Sequence, residues 1–185
     1  MDDEAILALL WERAESAISA LAAKFGRRLH QTAMNILDDR QDAEEAVNDT
    51  YMALWNTIPP ERPSPLGGFV YRVGRNIALN RLRSNTAKKR DCRYALSLDE
   101  LAEAIPGGTL EEVWDAKALG QAIDRFLDAL NPTNRRLFLR RYWFGDSAKA
   151  LAQEEGMTQN ALCVRLSRIR TQLKDYLIQE GFYEP

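Results

Sequence analysis

The sequence predicts an all-α chain: two small helical domains joined by a flexible acidic linker, the C-terminal one containing a helix-turn-helix. Three observations predict it. Apolar residues recur at spacings of three and four along most of the chain, which is helical periodicity. Charge falls into alternating blocks, and the stretch from Ser147 to Arg170 has the small residue, glycine and cap at the offsets that two crossing helices need.

The 185 residues, 45% of them apolar, have room for one domain or two small ones. The formal net charge of −2 hides strong segregation. Residues 1–50 carry five basic against eleven acidic residues, net −6, and residues 66–93 carry eight against one, net +7. Residues 94–130 carry two against eight, net −6, and residues 132–176 carry nine against four, net +5. A chain that meets DNA at two places and offers acidic surface elsewhere has this pattern.

From Asp2 to Leu37 the apolar positions Ile6, Leu9, Leu10, Ala14, Ala17, Ile18, Leu21, Phe25, Leu29, Ala33 and Ile36 keep helical spacing. Asp2 and Asp3 suit a helix start, and the length of the run predicts two helices without marking the break. Asp39 is an N-cap candidate for the next helix, from about Gln41 to Ile58, which packs through Ala43, Ala46, Val47, Thr50 and Leu54. Asp42, Glu45 and Asp49 form a carboxylate stripe on another face of that helix. Two readings stand for the stripe: acids complementing the helix N-terminal dipole, or a surface that docks on a basic partner.

Prolines 59, 60, 63 and 65 end that helix and impose an extended connection, and Gly67 and Gly68 free the chain to turn. The helix from Gly68 to Arg83 follows. At about 100° per residue, Val70, Val73 and Ile77 form the expected core stripe, with Arg72, Arg75, Asn76 and Arg83 gathered opposite. Phe69 and Tyr71 offer rings on which bases can stack, and Asn76 and Asn80 offer amides for base edges. The alternative is that the rings are core and the asparagines mark a helix end. Lys88, Lys89, Arg90 and Arg93 continue the basic run.

Residues 94–118, with Pro106, Gly107 and Gly108 and then Glu111, Glu112 and Asp115, read as the linker, so the expected domains are 1–93 and 119–185. Leu119 to Leu130 reads as a helix stopped by Asn131 and Pro132, and Thr133 to about Trp143 as another. Gly145, Asp146 and Ser147 make a turn and cap. A short helix with Leu151 and Ala152 ends at Gly156, and Thr158 caps a second helix with Leu162, Leu166 and Ile169 inward. That second helix offers Gln159, Asn160, Cys163, Arg165, Arg168 and Arg170 to a major groove and its phosphates, although ordinary helical hairpins share the pattern.

No nucleophile and base pair, phosphate loop or metal-ligand cluster assembles by local spacing, so no catalytic residue, metal or cofactor is expected. Cys92 and Cys163 are far apart and read as reduced thiols, and His30 reads as a surface or packing residue. The acidic N-terminus lacks a signal-peptide pattern and no apolar run approaches membrane-spanning length, which leads to the expectation of a cytoplasmic protein without membrane insertion.

With these motifs in order, the chain resembles a bacterial RNA polymerase sigma factor of the extracytoplasmic-function group. Asp42-Ala43-Glu44-Glu45-Ala46-Val47 with Leu54-Trp55 is similar to the group's Asp-Ala-Glu-Asp motif and following Leu-Trp, and Tyr71-Arg72-Val73-Gly74-Arg75-Asn76 to its Tyr-Arg-Ile-Ala-Arg-Asn segment. Arg141 to Leu173 resembles its C-terminal helix-turn-helix, and the likeness runs from about residue 7 to 177 with the linker unmatched. The resemblance implies that Asp42, Glu45 and Asp49 face core polymerase. It implies that Phe69, Tyr71, Arg72, Arg75, Asn76, Asn80 and Arg83 hold the melted −10 strand, with the proline-rich loop helping to capture a flipped base. It further implies that Gln159 to Arg170 read the −35 element, that the linker threads through the polymerase, and that an anti-sigma factor is a further partner.

The chain departs from the group where Phe69 replaces a common tryptophan, Gly74 an alanine, Asn80 an acidic residue, and Cys163 and Val164 a frequent Lys and Ser. Gly74 is expected to weaken its helix by about 1 kcal/mol relative to alanine unless close packing requires it. The alternative readings are a stand-alone helix-turn-helix regulator, which needs neither the acidic stripe nor the basic helix, and a helical adaptor without a nucleic-acid role.

Overall fold

Side-chain caps set most of the helix starts. In the computed structural model, which describes residues 1–84, 100–101 and 116–182, Asp2 Oδ1 accepts from the Ala5 N–H at 2.8 Å and opens α1, Asp3–Trp11. Asp39 accepts from the Asp42 N–H at 3.0 Å and opens α3, Arg40–Thr57. Each cap satisfies an amide that the first helical turn leaves unpaired. Between them α2 spans Ser16–Leu37, so the break in the first helical run falls at residues 12–15. Arg13 sits there in left-handed backbone, φ 55°. Its guanidinium donates to the Trp55 carbonyl oxygen and lies 5.4 Å from the Trp55 ring centre, a tertiary anchor without local sequence signal.

The chain divides into two compact units, residues 1–94 and 95–185. All defined elements among the described residues are helical. In the first unit α2, α3 and α4, Leu66–Ser84, pack on one another in all three pairings, with α1 laid on α2 and α4. Leu21, Phe25 and Leu29 of α2, Ala43, Val47 and Leu54 of α3, and Ile6 and Leu10 of α1 are all buried in this unit. The buried stripe of α4 is Leu66, Val70, Gly74, Ala78 and Leu82. This corrects the expected stripe: Val73 and Ile77 flank it half-buried. Two of the five central positions are small, and small residues carry little weight when apolar periodicity is counted.

Gly74 explains the difference. A Cβ there would stand 2.6 Å from Leu29 Cδ2 and 3.3 Å from Thr50 Oγ1, so glycine lets α4 approach α2 and α3 closely. The helix-weakening departure from the family pattern is thus tied to close packing.

The second unit contains α5, Ala116–Ala129, and α6, Pro132–Phe138, which runs into a π-helical turn at Leu139–Trp143. The helix expected over 133–143 is therefore two kinds of helix, with the wider turn directing Arg141 and Tyr142 inward. Ser147 accepts from the Ala150 N–H to open α7, Ala148–Glu154, and Thr158 accepts from the Ala161 N–H to open α8, Gln159–Gln179, each at 3.1 Å. Gly156 makes the turn between them at φ 65°. Leu151, Ala152, Leu162, Leu166 and Ile169 are all buried, as the spacing predicts.

Glu100 and Leu101, inside the stretch read as linker, lie in helical backbone, and Leu101 packs on the core of the second unit. The rest of that linker, together with Lys88, Lys89, Arg90, Arg93 and Cys92, lies outside the described residues. Among the described residues no helix is long and apolar enough to cross a membrane, and no group of His, Cys, Asp and Glu could hold a metal ion.

Candidate nucleic-acid interfaces and the acidic face

Helical geometry divides the α4 candidates. Arg72, Asn76, Asn80 and Arg83 are exposed, lie on one face, and have half-buried Phe69 beside them, the Arg72 guanidinium 5.3 Å from its ring centre. Arg83 Nη1 donates to Asn80 Oδ1 at 3.4 Å. This face presents two cations, two amides and one ring, the groups needed to hold an unstacked strand.

Tyr71 and Arg75 are not brought to that face. Tyr71 makes an edge-on contact with Phe25 of α2, ring centres 5.8 Å apart, and burial pushes its hydroxyl above the usual phenol range. Arg75 is half-buried on the same flank. The aromatic spacing in sequence was compatible with either side; the partner on α2 decides it.

The carboxylate stripe of α3 is gathered by a cation that local spacing could not reveal. Arg81 of α4 lies 3.5 Å from Asp42, 3.0 Å from Asp49, and donates to Glu45. The hydrogen bond from Arg81, joined by one from Gln41, holds the Glu45 carboxyl below the usual glutamate range. One guanidinium against three carboxylates leaves the face net negative, and the Glu45 and Asp49 side chains remain 48% and 56% exposed. Met52, 57% exposed, stands on the same face at i+7 from Glu45 and i+3 from Asp49. It adds an exposed apolar group to the acidic face, one that the charge pattern concealed.

On α8 the exposed candidates are Gln159, Asn160, Cys163 and Arg168. Arg165 and Arg170 are drawn toward the body of the unit. Arg165 donates to Asn134 Oδ1 at 2.7 Å, and Arg170 donates to the Tyr142 hydroxyl at 2.6 Å while lying 3.6 Å from Glu100. Glu100 also accepts from Arg141 at 3.3 Å and from the Tyr142 hydroxyl at 3.4 Å. Burial is the main influence on Tyr142 and raises its hydroxyl pKa, partly offset by the Arg170 hydrogen bond.

The family model for sigma-70 region 2 matches residues 21–88, a span that begins within α2 and takes in α3 and α4. This stretch is a sigma-70 region 2 domain. Across both units the chain is similar to the extracytoplasmic-function RNA polymerase sigma factor SigE of Mycolicibacterium smegmatis, 22% identical over 163 residues, 87% of this chain and 62% of the relative. The chain thus spans about three fifths of the length of that curated relative. The motifs read from the sequence and these matches agree on sigma-70 region 2 for residues 21–88. A solved structure of CnrH in complex with the cytosolic domain of CnrY is similar at a TM-score of 0.43 and 21% identity, over 96% of this chain and 97% of that one, a level that leaves function open. In this region 2 domain, the acidic face lies on α3 and the basic face on α4, joined by Arg81.

Proposed function

We propose that this chain binds core RNA polymerase and directs promoter-specific transcription initiation. The single observation that carries this reading is the region 2 match over residues 21–88, whose helices present an acidic α3 face and a basic, amide-bearing α4 face. The α3 face of Asp42, Glu45 and Asp49, with Met52 among them, docks on a basic surface of the core enzyme. Arg72, Asn76, Asn80 and Arg83, with Phe69, hold the melted −10 strand, where stacking is worth roughly 1–3 kcal/mol per base. The second unit reads the −35 duplex with Gln159, Asn160, Cys163 and Arg168 of α8, because a groove is read by a helix laid into it. Arg165 and Arg170 position that helix, and Tyr71 and Arg75 brace α4 from behind.

In this reading the chain performs no bond chemistry, works in the cytoplasm where core polymerase is, and is controlled by an anti-sigma factor, as the resemblance implies. A stand-alone regulator has no use for a region 2 domain.

The test is in vitro transcription with purified core polymerase, genomic promoter fragments, and either wild-type protein or the Asp42→Ala, Glu45→Ala, Asp49→Ala triple variant, whose helicity is checked in parallel. Specific transcripts with wild type, and their loss with a folded triple variant, support the reading. A wild-type protein that neither binds core nor yields transcripts overturns it.

A further inference from the structure

We propose that Val164 is a specificity-determining residue that reads the 5-methyl group of a thymine in the major groove of duplex DNA. This rests on the reading of the second unit as a DNA-binding helix-turn-helix.

The argument begins with the geometry of α8. Leu162, Leu166, Ile169, Leu173 and Leu177 are buried as one stripe. At about 100° per residue the opposite side is centred on Asn160, Val164 and Arg168, one turn apart, and all three are exposed. Val164 is 44% exposed, and among the described residues of the second unit it is the one large apolar side chain left on the surface.

Folding does not account for a valine there. A β-branched residue is a weaker helix former than alanine, lysine or glutamine, and at the solvent side of α8 it returns no core packing. Its place between an amide and a guanidinium matches the chemistry of a groove. Base edges in the major groove present acceptors, donors and a single kind of apolar group, the thymine methyl. Asn160 and Arg168 suit adenine and guanine edges or a phosphate, and Val164 between them suits the methyl. Desolvating one methyl-sized group is worth about 0.8 kcal/mol, which is about fourfold in affinity.

The experiment uses the full chain with core RNA polymerase. A duplex is selected from a random-sequence library, and each of its thymines is then replaced singly by deoxyuridine, which removes the methyl and keeps every hydrogen-bonding group. The expected result is one position at which deoxyuridine weakens wild type about fourfold, leaves Val164→Ala unaffected, and still weakens Val164→Ile. If no single replacement affects wild type, if Val164→Ala responds as wild type does, or if the selected duplex has no thymine, Val164 does not read a methyl, while duplex binding itself stands. Failure to enrich any sequence overturns the DNA reading of the unit and this inference with it.

Discussion

The Arg81 guanidinium reaches from α4 to 3.0 Å from Asp49 Oδ2 on α3, and the same group contacts Asp42 and Glu45. The acidic face proposed for polymerase docking and the helix proposed for the melted strand are therefore tied by one side chain. A basic partner approaching Asp49 meets a carboxylate that is already partly neutralised. It can share the carboxylates or displace Arg81.

Replacing Arg81 with methionine keeps the aliphatic stem and removes the charge. The Arg81 side chain is 23% exposed, but Glu45 and Asp49 are 48% and 56% exposed and open to screening, so the expected loss of stability is about 1 kcal/mol or less at pH 7, measured by urea unfolding, and smaller in high salt. The pH dependence has a definite sign. Glu45 has a lowered pKa in the folded chain, so its contribution is present above the ordinary glutamate range, near 4.3, and is lost as pH falls through the lowered value. The stability difference between wild type and Arg81→Met should shrink as the pH is taken below that range. A difference that stays constant to the lowest pH at which both fold would place the effect elsewhere.

Gly74→Ala sets two effects against each other. Alanine favours the helix by about 1 kcal/mol, but its Cβ meets Leu29 and Thr50 in a filled core, where overpacking costs about 1–3 kcal/mol. Both neighbours are buried, which limits their retreat. The expected net is a loss of about 1 kcal/mol in thermal unfolding. A higher melting temperature would mean that Leu29 swings aside freely and that close approach does not need glycine.

What was legible in the sequence follows the range of each interaction. Caps are local, so Asp39, Ser147 and Thr158 could be named from residue type and offset, and all three hold their expected roles. The buried positions of α7 and α8 were readable because Leu, Ala and Gly stand at helix-turn-helix spacing. Interactions between distant positions were not. Arg81 is 32 residues from Asp49, Arg170 is 28 from Tyr142, and Arg13 is 42 from Trp55. No local pattern marks such pairs; Arg170, and Arg165 through Asn134, are held away from the open face by them, and Arg13 lies at the break in the first helical run. The α4 core stripe is hard to read from sequence for another reason: Gly74 and Ala78 pack by being small.

Glu100 gathers Arg141, Tyr142 and Arg170 from a position that looked like linker. Arg141 is buried, so removing its charged partner leaves a cation with less compensation. Glu100→Gln keeps the shape and removes the charge. Because Glu100 is itself 41% exposed, the expected cost is about 1 kcal/mol, seen as faster hydrogen exchange along α8 with α2 and α3 unchanged. Equal exchange in both proteins would mean that the contact does not stabilise the unit.

Cys163 provides a direct test of whether the exposed side of α8 faces DNA. It is exposed, beside Val164 and one turn from Asn160 and Ser167, so a maleimide reaches it in the free protein. In a Cys92→Ser background, which leaves a single thiol, promoter duplex with core polymerase should slow its alkylation at least tenfold. Raising the salt should restore the rate, because phosphate contacts release counterions and weaken steeply with ionic strength. A duplex of unrelated sequence should protect less at the same concentration. Protection by core polymerase alone, with no further effect of promoter DNA, would instead assign this face of α8 to a protein contact and leave −35 reading to another surface.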